Sequence, residues 1–264
     1  MPGAFGKPYD VNRLGDRVRP LQLRHTRATG STNAWAKRES QTGAVRAPAL
    51  FVADSQWAGR GRGTHTWWSA PGNLAATFVL RPNAHLPFGL VPLLAGLAVR
   101  RALVPLTACE KLALKWPNDL VVGQRKAAGL LCERLQQVDL IGVGVNVNAG
   151  SDEAPAELRE RIVSLRELTG NVWDLNDVLC VISREMLRLF SGESESATQE
   201  LLQEYSRHHW PTGKNIELAG TDRAPRVAGR CVGIDSQGRL VVNTGQESFP
   251  LLTGSIVSVT SVTD

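Results

Sequence analysis

Between Leu21 and Val147 the chain strings together seven short runs with strand character: Leu21–His25, Ala49–Ala53, Leu74–Leu80, Leu112–Trp116, Leu120–Val122, Gly129–Cys132 and Val138–Val147. Such runs, bounded by Gly, Pro, Asn and Asp, are too short for helices and read as strands of a sheet. Only two helical stretches interrupt them. One opens at Gly30-Ser31-Thr32-Asn33, whose side chains suit a helix N-terminus, and runs to about Ser40; the other carries an apolar face over residues 90–104 and stops before Pro105. The predicted class is therefore α+β, a mixed sheet with helices. Helical patterns follow near 155–169, with Pro155 at the first position, then 175–190 and 197–208. After Pro211 the texture changes to short alternating strands between Gly and Asp turns, which predicts a small β-barrel. The expected organisation is a loose arm over residues 1–20, a main domain over 21–211 and the barrel over 212–264.

A chain of 264 residues, 42% apolar, has room to bury such a core without covalent staples. Its four cysteines, Cys109, Cys132, Cys180 and Cys231, are widely spaced, form no Cys-x-x-Cys and have no histidine at zinc-ligand spacing. Reduced thiols and a cytoplasmic location are expected. No apolar run approaches the ~18 residues of a membrane span, and the N-terminus has no secretory apolar stretch. Charge is uneven: the first 68 residues carry eleven Lys and Arg against four Asp and Glu, in a chain whose total is +5. That bias predicts an anionic ligand or partner there or, for the residues before Thr29, a solvated basic tail.

Three constellations can carry chemistry. The first is the loop of residues 55–73, with Gln56-Trp57-Ala58-Gly59-Arg60-Gly61-Arg62-Gly63-Thr64-His65-Thr66-Trp67-Trp68. A loop of that length without its own element is more often functional than structural. Alternating glycines let backbone N–H groups approach an oxyanion, arginine forks suit phosphate or carboxylate, and the tryptophans offer apolar walls for a ring. By itself the segment also fits a flexible Arg-Gly loop that binds RNA weakly. The second is Lys115-Trp116-Pro117-Asn118-Asp119, a cation at the end of an apolar strand ahead of a rigid polar turn. Such a lysine either snorkels from a sheet edge or is held beside an anion; Arg125-Lys126 can return positive charge to the same place, and Asp119 can brace the turn. The third is Gly142-Val-Gly144-Val-Asn146-Val147, where glycines in a strand mark close approach by a ligand or another chain segment, or a strand crossing beneath a tightly packed helix.

Other schemes find no support. Neither Gly59-x-Gly61 nor Gly142-x-Gly144 completes a dinucleotide fingerprint, and no P-loop or Gly-x-Ser-x-Gly elbow occurs. His208-His209 lacks carboxylate or thiol neighbours at ligand spacing. The C-terminal strands balance five cations with five carboxylates, unlike a nucleic-acid-binding barrel.

Taken in order, Gly30-Ser31-Thr32-Asn33, Gln56, Gly59-Arg60-Gly61-Arg62 with Trp67, Lys115-Trp116-Pro117-Asn118-Asp119, Lys126-x-x-Gly129-x-Leu131 and Gly142-x-Gly144-x-Asn146-Val147 closely resemble the biotin protein ligases. Gly233-Ile234-Asp235-x-Gln237-Gly238 and Gly254-x-Ile256 resemble that family's C-terminal SH3-like domain. The resemblance implies a class II synthetase-like biotin/lipoate ligase catalytic domain and a two-step reaction. Biotin and Mg-ATP would give biotinyl-5′-AMP, from which biotin passes to a lysine of a biotin carboxyl-carrier domain, as in acetyl-CoA carboxylase. It implies biotin contacts from Ser31, Thr32, Asn33, Gln56, Arg60, Gly61, Arg62 and Lys115, with Lys115, Arg60 and Arg62 as the catalytic cations. Nucleotide contacts would come from Arg62, Trp67, Asn118, Lys126 and Asn146; metal ligands stay open. Thr64 and His65 depart from the family's usual Gly and Arg in the loop, which bears on how tightly it retains the adenylate. Ala127-Ala128 is smaller than usual after the lysine. Some members also repress transcription through an N-terminal winged helix; only 30 residues precede Ser31 here, so no DNA binding is expected. The alternatives are a lipoate or octanoate transferase on the same scaffold and, from another class, an Arg-Gly-loop RNA-binding protein. The Gly-Arg-Gly-Arg loop and the Lys-Trp-Pro-Asn-Asp run favour biotin.

Overall fold

The strand runs assemble as one seven-stranded sheet: β1 (Gln22–Thr29), β2 (Ala49–Gln56), β3 (Leu74–Leu80), β4 (Leu112–Lys115), β5 (Asp119–Val122), β6 (Arg125–Arg134) and β7 (Asp139–Val145). The computed structural model describes residues 9–191, 195–219 and 226–261. In space the strands lie in the order β1-β2-β3-β7-β6-β5-β4; β1 and β2 run parallel, and every other pair is antiparallel. The mixed sheet is thus as predicted. β3 and β7 are buried along their whole length because both faces of the sheet are covered. On one face Leu74, Ala76, Phe78, Ile141 and Val143 share a core with the helices Val91–Thr107 and Leu175–Phe190. On the other, Phe51, Val79 and Leu140 pack with Ala36 of the helix Thr32–Gln41.

The helices are, in chain order, α1 (Val11–Arg17), α2 (Thr32–Gln41), α3 (Val91–Thr107), α4 (Leu165–Thr169), α5 (Leu175–Phe190) and α6 (Glu195–Arg207). Three differ from the sequence expectation. Of the arm expected to be loose, residues 1–8 lie outside the described residues, but 9–20 are ordered on the body. Asp10 caps α1 by accepting from the Arg13 N–H at 3.1 Å, Leu14 and Val18 are buried one turn apart, and Arg17 pairs with Asp177 at 2.6 Å. The stretch 155–169 is not one helix. A single 3-10 turn, Ala156–Leu158, leads into residues 161–163, which bridge to β6, and only Leu165–Thr169 is α-helical. β6 offers Lys126 N–H and C=O as partners there, and that pairing wins over helix propensity. α3 continues through Pro105 to Thr107. The proline sits in the last turn, where its missing N–H deprives only one carbonyl, and the chain leaves the helix at Ala108, φ 50°.

Beyond Pro211 five strands form an antiparallel sheet: β8 (Asn215–Leu218), β9 (Val227–Ile234), β10 (Leu240–Asn243), β11 (Ser248–Leu251) and β12 (Ile256–Thr260), ordered β11-β10-β9-β8-β12. This is the small β module expected of an SH3-like unit, with β11 and β12 at the ends of the order. Its inner residues Ile216, Leu218, Cys231, Leu240 and Ile256 belong to the same core as α3 and α5. Trp116, in the turn between β4 and β5, donates its indole N–H to Gly238 O at 3.1 Å. Gly238 has φ +74° and lies so near Leu90 and Leu93 that a Cβ there would strike both.

Candidate active site

Register decides where the cavity lies. Ala75 of β3 pairs with Gly144 of β7, Gly144 with Gly129 of β6, Gly129 with Asp119 of β5, and Asp119 with Lys115 of β4. Directly paired residues in an antiparallel ladder point to the same face. A row of Ala, Gly and Gly therefore runs across the sheet and ends in a carboxylate and an ammonium. The next row, Thr77–Gly142–Leu131, lies beside it. A cavity of about 720 Å³ opens on this face of the sheet, the same face as α2. Ser31, Thr32, Asn33, Gln56, Arg60, Gly61, Arg62, Lys115, Trp67, Asn118, Lys126 and Asn146 all line it, so the structure brings every sequence-predicted site residue to one place.

The two glycines of β7 have specific tenants. A Cβ on Gly142 would collide with the Asn33 amide at the start of α2, and one on Gly144 with the Trp67 indole. The close approach expected from these glycines is thus made by two side chains of this chain. The Trp67 indole also covers Gly129, with the Lys126 ammonium 5.5 Å from its ring centre; its own N–H is buried without a partner among the described residues.

Thr32 begins α2, and its N–H donates to Gln56 Oε1 at the end of β2, at 2.7 Å. Asn33 is spent on protein: Thr77 Oγ1 donates to its carbonyl at 2.7 Å, and its amide nitrogen donates to Leu131 O at 3.0 Å and Glu133 Oε2 at 3.1 Å. Asn118 and Asn146 are held similarly, their amide nitrogens donating to Leu130 O at 2.6 Å and Lys126 O at 3.0 Å. The amide nitrogens of these three residues, named above as biotin or nucleotide contacts, fasten the cavity wall.

The Gly-Arg loop folds back on itself. Gly61 N–H donates to His65 O at 2.8 Å, Trp67 N–H to Gly59 O at 2.9 Å, and Gly63 turns the chain at φ +60°. Arg60 sits half-exposed, 3.9 Å from Glu133. Arg62 reaches the C-terminal sheet, donating to Gly254 O at 3.0 Å and Thr253 Oγ1 at 3.1 Å, and burial lowers its pKa. The loop is thereby tied to the turn between β11 and β12.

Lys126 pairs with Asp119 at 2.6 Å. Lys115 is different: among the described residues no carboxylate lies within ion-pair distance of its ammonium. Burial, and the neighbouring Lys126 and Arg161, lower its pKa, with Asp119 opposing. A desolvated cation without a counter-ion at the end of a row of small residues stabilises an anion brought to it.

Sequence reasoning missed Glu133, Thr77 and Arg161, all close to the site. Thr77 had a signal, as the single hydroxyl in the run Leu74–Leu80. Arg161 comes to the cavity only through the non-local bridge between Lys126 and Ile162.

Residues 26–149 match the sequence profile of the Biotin/lipoate A/B protein ligase family. The chain is 31% identical to the biotin--[acetyl-CoA-carboxylase] ligase of Mycobacterium tuberculosis, over 95% of this chain and 96% of that protein. It is 32% identical to the bifunctional ligase/repressor BirA of Bacillus spizizenii over 74% of this chain, spanning 61% of that longer relative. The biotin protein ligase of Aquifex aeolicus, solved in complex with biotin and ATP, superposes with TM-score 0.79 at 28% identity, covering 91% of this chain and 99% of that one.

Proposed function

The chain belongs to the biotin/lipoate A/B protein ligase family, among its biotin protein ligases, and from that premise we propose that it activates biotin with ATP and transfers it to a lysine of a biotin carboxyl-carrier domain. The observation that carries this reading is the row Ala75–Gly144–Gly129–Asp119–Lys115: small residues, two of them covered by the Trp67 indole, lead to an ammonium that has no carboxylate within ion-pair distance among the described residues. Biotin's fused ring suits the end walled by Thr32 and Gln56, and its carboxylate then points toward Lys115.

The first step joins two anions. Bringing a carboxylate to about 4 Å from a phosphate charge costs on the order of 4 kcal/mol per pair of unit charges at an effective dielectric near 20. Lys115 offsets this at the carboxylate, Lys126 and Arg161 on the nucleotide side, and Arg62 and Arg60 from the loop. The carboxylate oxygen attacks the α-phosphorus, pyrophosphate leaves, and the mixed anhydride biotinyl-5′-AMP results. In the second step the carrier's ε-amine attacks the acyl carbon, AMP departs with the bonding pair, and the amine proton is lost to solvent or base. Between the steps the Gly59–Trp67 loop shields the anhydride from water. Trp67, Asn118, Lys126 and Asn146 bound the nucleotide end. Magnesium would enter with ATP and neutralise phosphate charge; Asp119 and Glu160 line the cavity, and either would supply the one carboxylate that Mg²⁺ needs beside phosphate and water oxygens. The four free thiols accord with action in the cytoplasm.

The test is pyrophosphate exchange into ATP by the purified chain, with biotin, with lipoate and with neither. Exchange that requires biotin is expected. Exchange without biotin, or faster with lipoate, overturns the reading.

A further inference from the structure

The Glu133 carboxylate, near the end of β6, is the terminus of a hydrogen-bond chain that reaches the biotin end of the cavity. It lies 3.5 Å from the Lys37 ammonium and 3.9 Å from the Arg60 guanidinium. A carboxylate beside two cations only accepts hydrogen bonds. The Asn33 amide nitrogen must therefore face it, and that nitrogen donates to both Glu133 Oε2 and Leu131 O. Both amide hydrogens are used, which turns the Asn33 carbonyl toward Thr77.

Thr77 is fully buried, and its hydroxyl donates to Asn33 Oδ1 at 2.7 Å. A hydroxyl has one hydrogen. Toward Thr32 Oγ1, 2.9 Å away, the Thr77 oxygen thus offers only lone pairs, and the hydrogen in that contact belongs to Thr32. The other polar neighbour of the Thr32 hydroxyl, Gln56 Oε1 at 3.2 Å, is an acceptor too, its orientation fixed by the Thr32 N–H. On its protein side the Thr32 hydroxyl meets acceptors alone. Its hydrogen stays in the wall, and its lone pairs face the cavity it lines.

We propose that Glu133 is a positioning residue that sets the hydrogen-bond polarity of the pocket: through Asn33 and Thr77 it makes Thr32 an acceptor, so the site selects a ring N–H over a ring oxygen at that place. The inference rests on the biotin ligase reading and adds to it the residue that orders the wall and the chemical feature of the ligand that the wall selects.

The test is calorimetric titration of the full chain with biotin and with the two cyclic carbamate analogues in which one ureido N–H is replaced by oxygen, alongside steady-state KM and kcat for biotin. The unsubstituted chain is expected to disfavour one carbamate by roughly 100-fold, the cost of facing lone pairs with lone pairs. Thr77→Val removes the nearer acceptor of the Thr32 hydrogen and leaves it only Gln56 Oε1 at 3.2 Å, so the hydroxyl can turn its hydrogen to the cavity; Glu133→Leu frees one hydrogen of the Asn33 amide. Each is expected to weaken biotin binding by about tenfold, raise KM more than it lowers kcat, and shrink the biotin-to-carbamate ratio by at least about fivefold. Glu133→Gln, which can still turn an acceptor toward Asn33, recovers most of the loss. If Glu133→Leu does not fold, Thr77→Val, similar in shape and lacking only the hydroxyl, decides. Biotin binding with an unchanged ratio in the folded variants overturns the inference alone; a chain that binds no biotin overturns the ligase reading and the inference together.

Discussion

Lys115 stands half-buried at the end of β4 with no carboxylate at ion-pair distance among the described residues, because its cross-strand neighbour Asp119 is already paired with Lys126. Its pKa is below the ordinary lysine value, chiefly through burial. The ammonium is therefore lost as pH rises through a value lower than for a free lysine. The alkaline fall of kcat/KM for biotin, measured by pyrophosphate exchange across pH, is expected to begin early, and Lys115→Arg to move it to higher pH. Lys115→Ala is expected to slow adenylate formation by roughly 10²–10³-fold with little change in the unfolding midpoint, since no ion pair is broken; a near-normal rate would remove the lysine from the chemistry. Gly144 makes a complementary prediction. Gly144→Ala drives a methyl group into the Trp67 indole, which must shift, at a cost of about 1–3 kcal/mol, and ATP binding should weaken with it. Thermal unfolding and the KM for ATP check both. Lys115 and Gly144 were legible in the sequence because a cation ending an apolar strand and a glycine within one break local rules. Glu133 breaks none, and its importance comes from what β6 brings it beside.

Two segments bracket the cavity, and each is tied at a defined point. The Gly-Arg loop is pinned by Arg62 to Thr253 and Gly254. Arg62→Ala removes a cation and that tie together. Adenylate formation should fall at least about tenfold while the unfolding midpoint drops by only about 2–4 °C, the shift expected for about 1 kcal/mol in a chain of this size. The segment leading to α4 is pinned by Glu167, which accepts from the Ser151 and Ser164 hydroxyls and backbone N–H groups and completes the capping box of α4. Desolvation raises its pKa, but these hydrogen bonds outweigh it and hold the carboxyl below its usual range. Its contribution to stability is therefore present above the ordinary glutamate pKa and fades as pH falls through the lower folded value. Glu167→Ala is expected to cost about 1 kcal/mol at neutral pH, less in acid, and to raise the KM for ATP by freeing the segment that carries Arg161. Unfolding curves at two pH values and ATP saturation curves test this.

Across the whole molecule the two sheets share one core, and Trp116 crosses from one to the other by its bond to Gly238. Heat should unfold them in a single transition, and Trp116→Phe, which orphans the Gly238 carbonyl, should lower the midpoint of both sheets together; two resolved calorimetric peaks would contradict the shared core. Sequence alone determined the strand runs, the change of texture after Pro211 and the residues that meet in the cavity. Period, turn chemistry and local rule-breaking are written in neighbouring residues. Tertiary structure alone decided that residues 9–20 fold onto the body, that 155–169 breaks up and pairs with β6, that the asparagine amides fasten the wall, and that Arg62 joins loop to second sheet. Each of these outcomes depends on which backbone group or side chain arrives from a distant strand. Register, which turns Ala75, Gly144, Gly129, Asp119 and Lys115 into one row, is set by packing of the two faces and has no local signature.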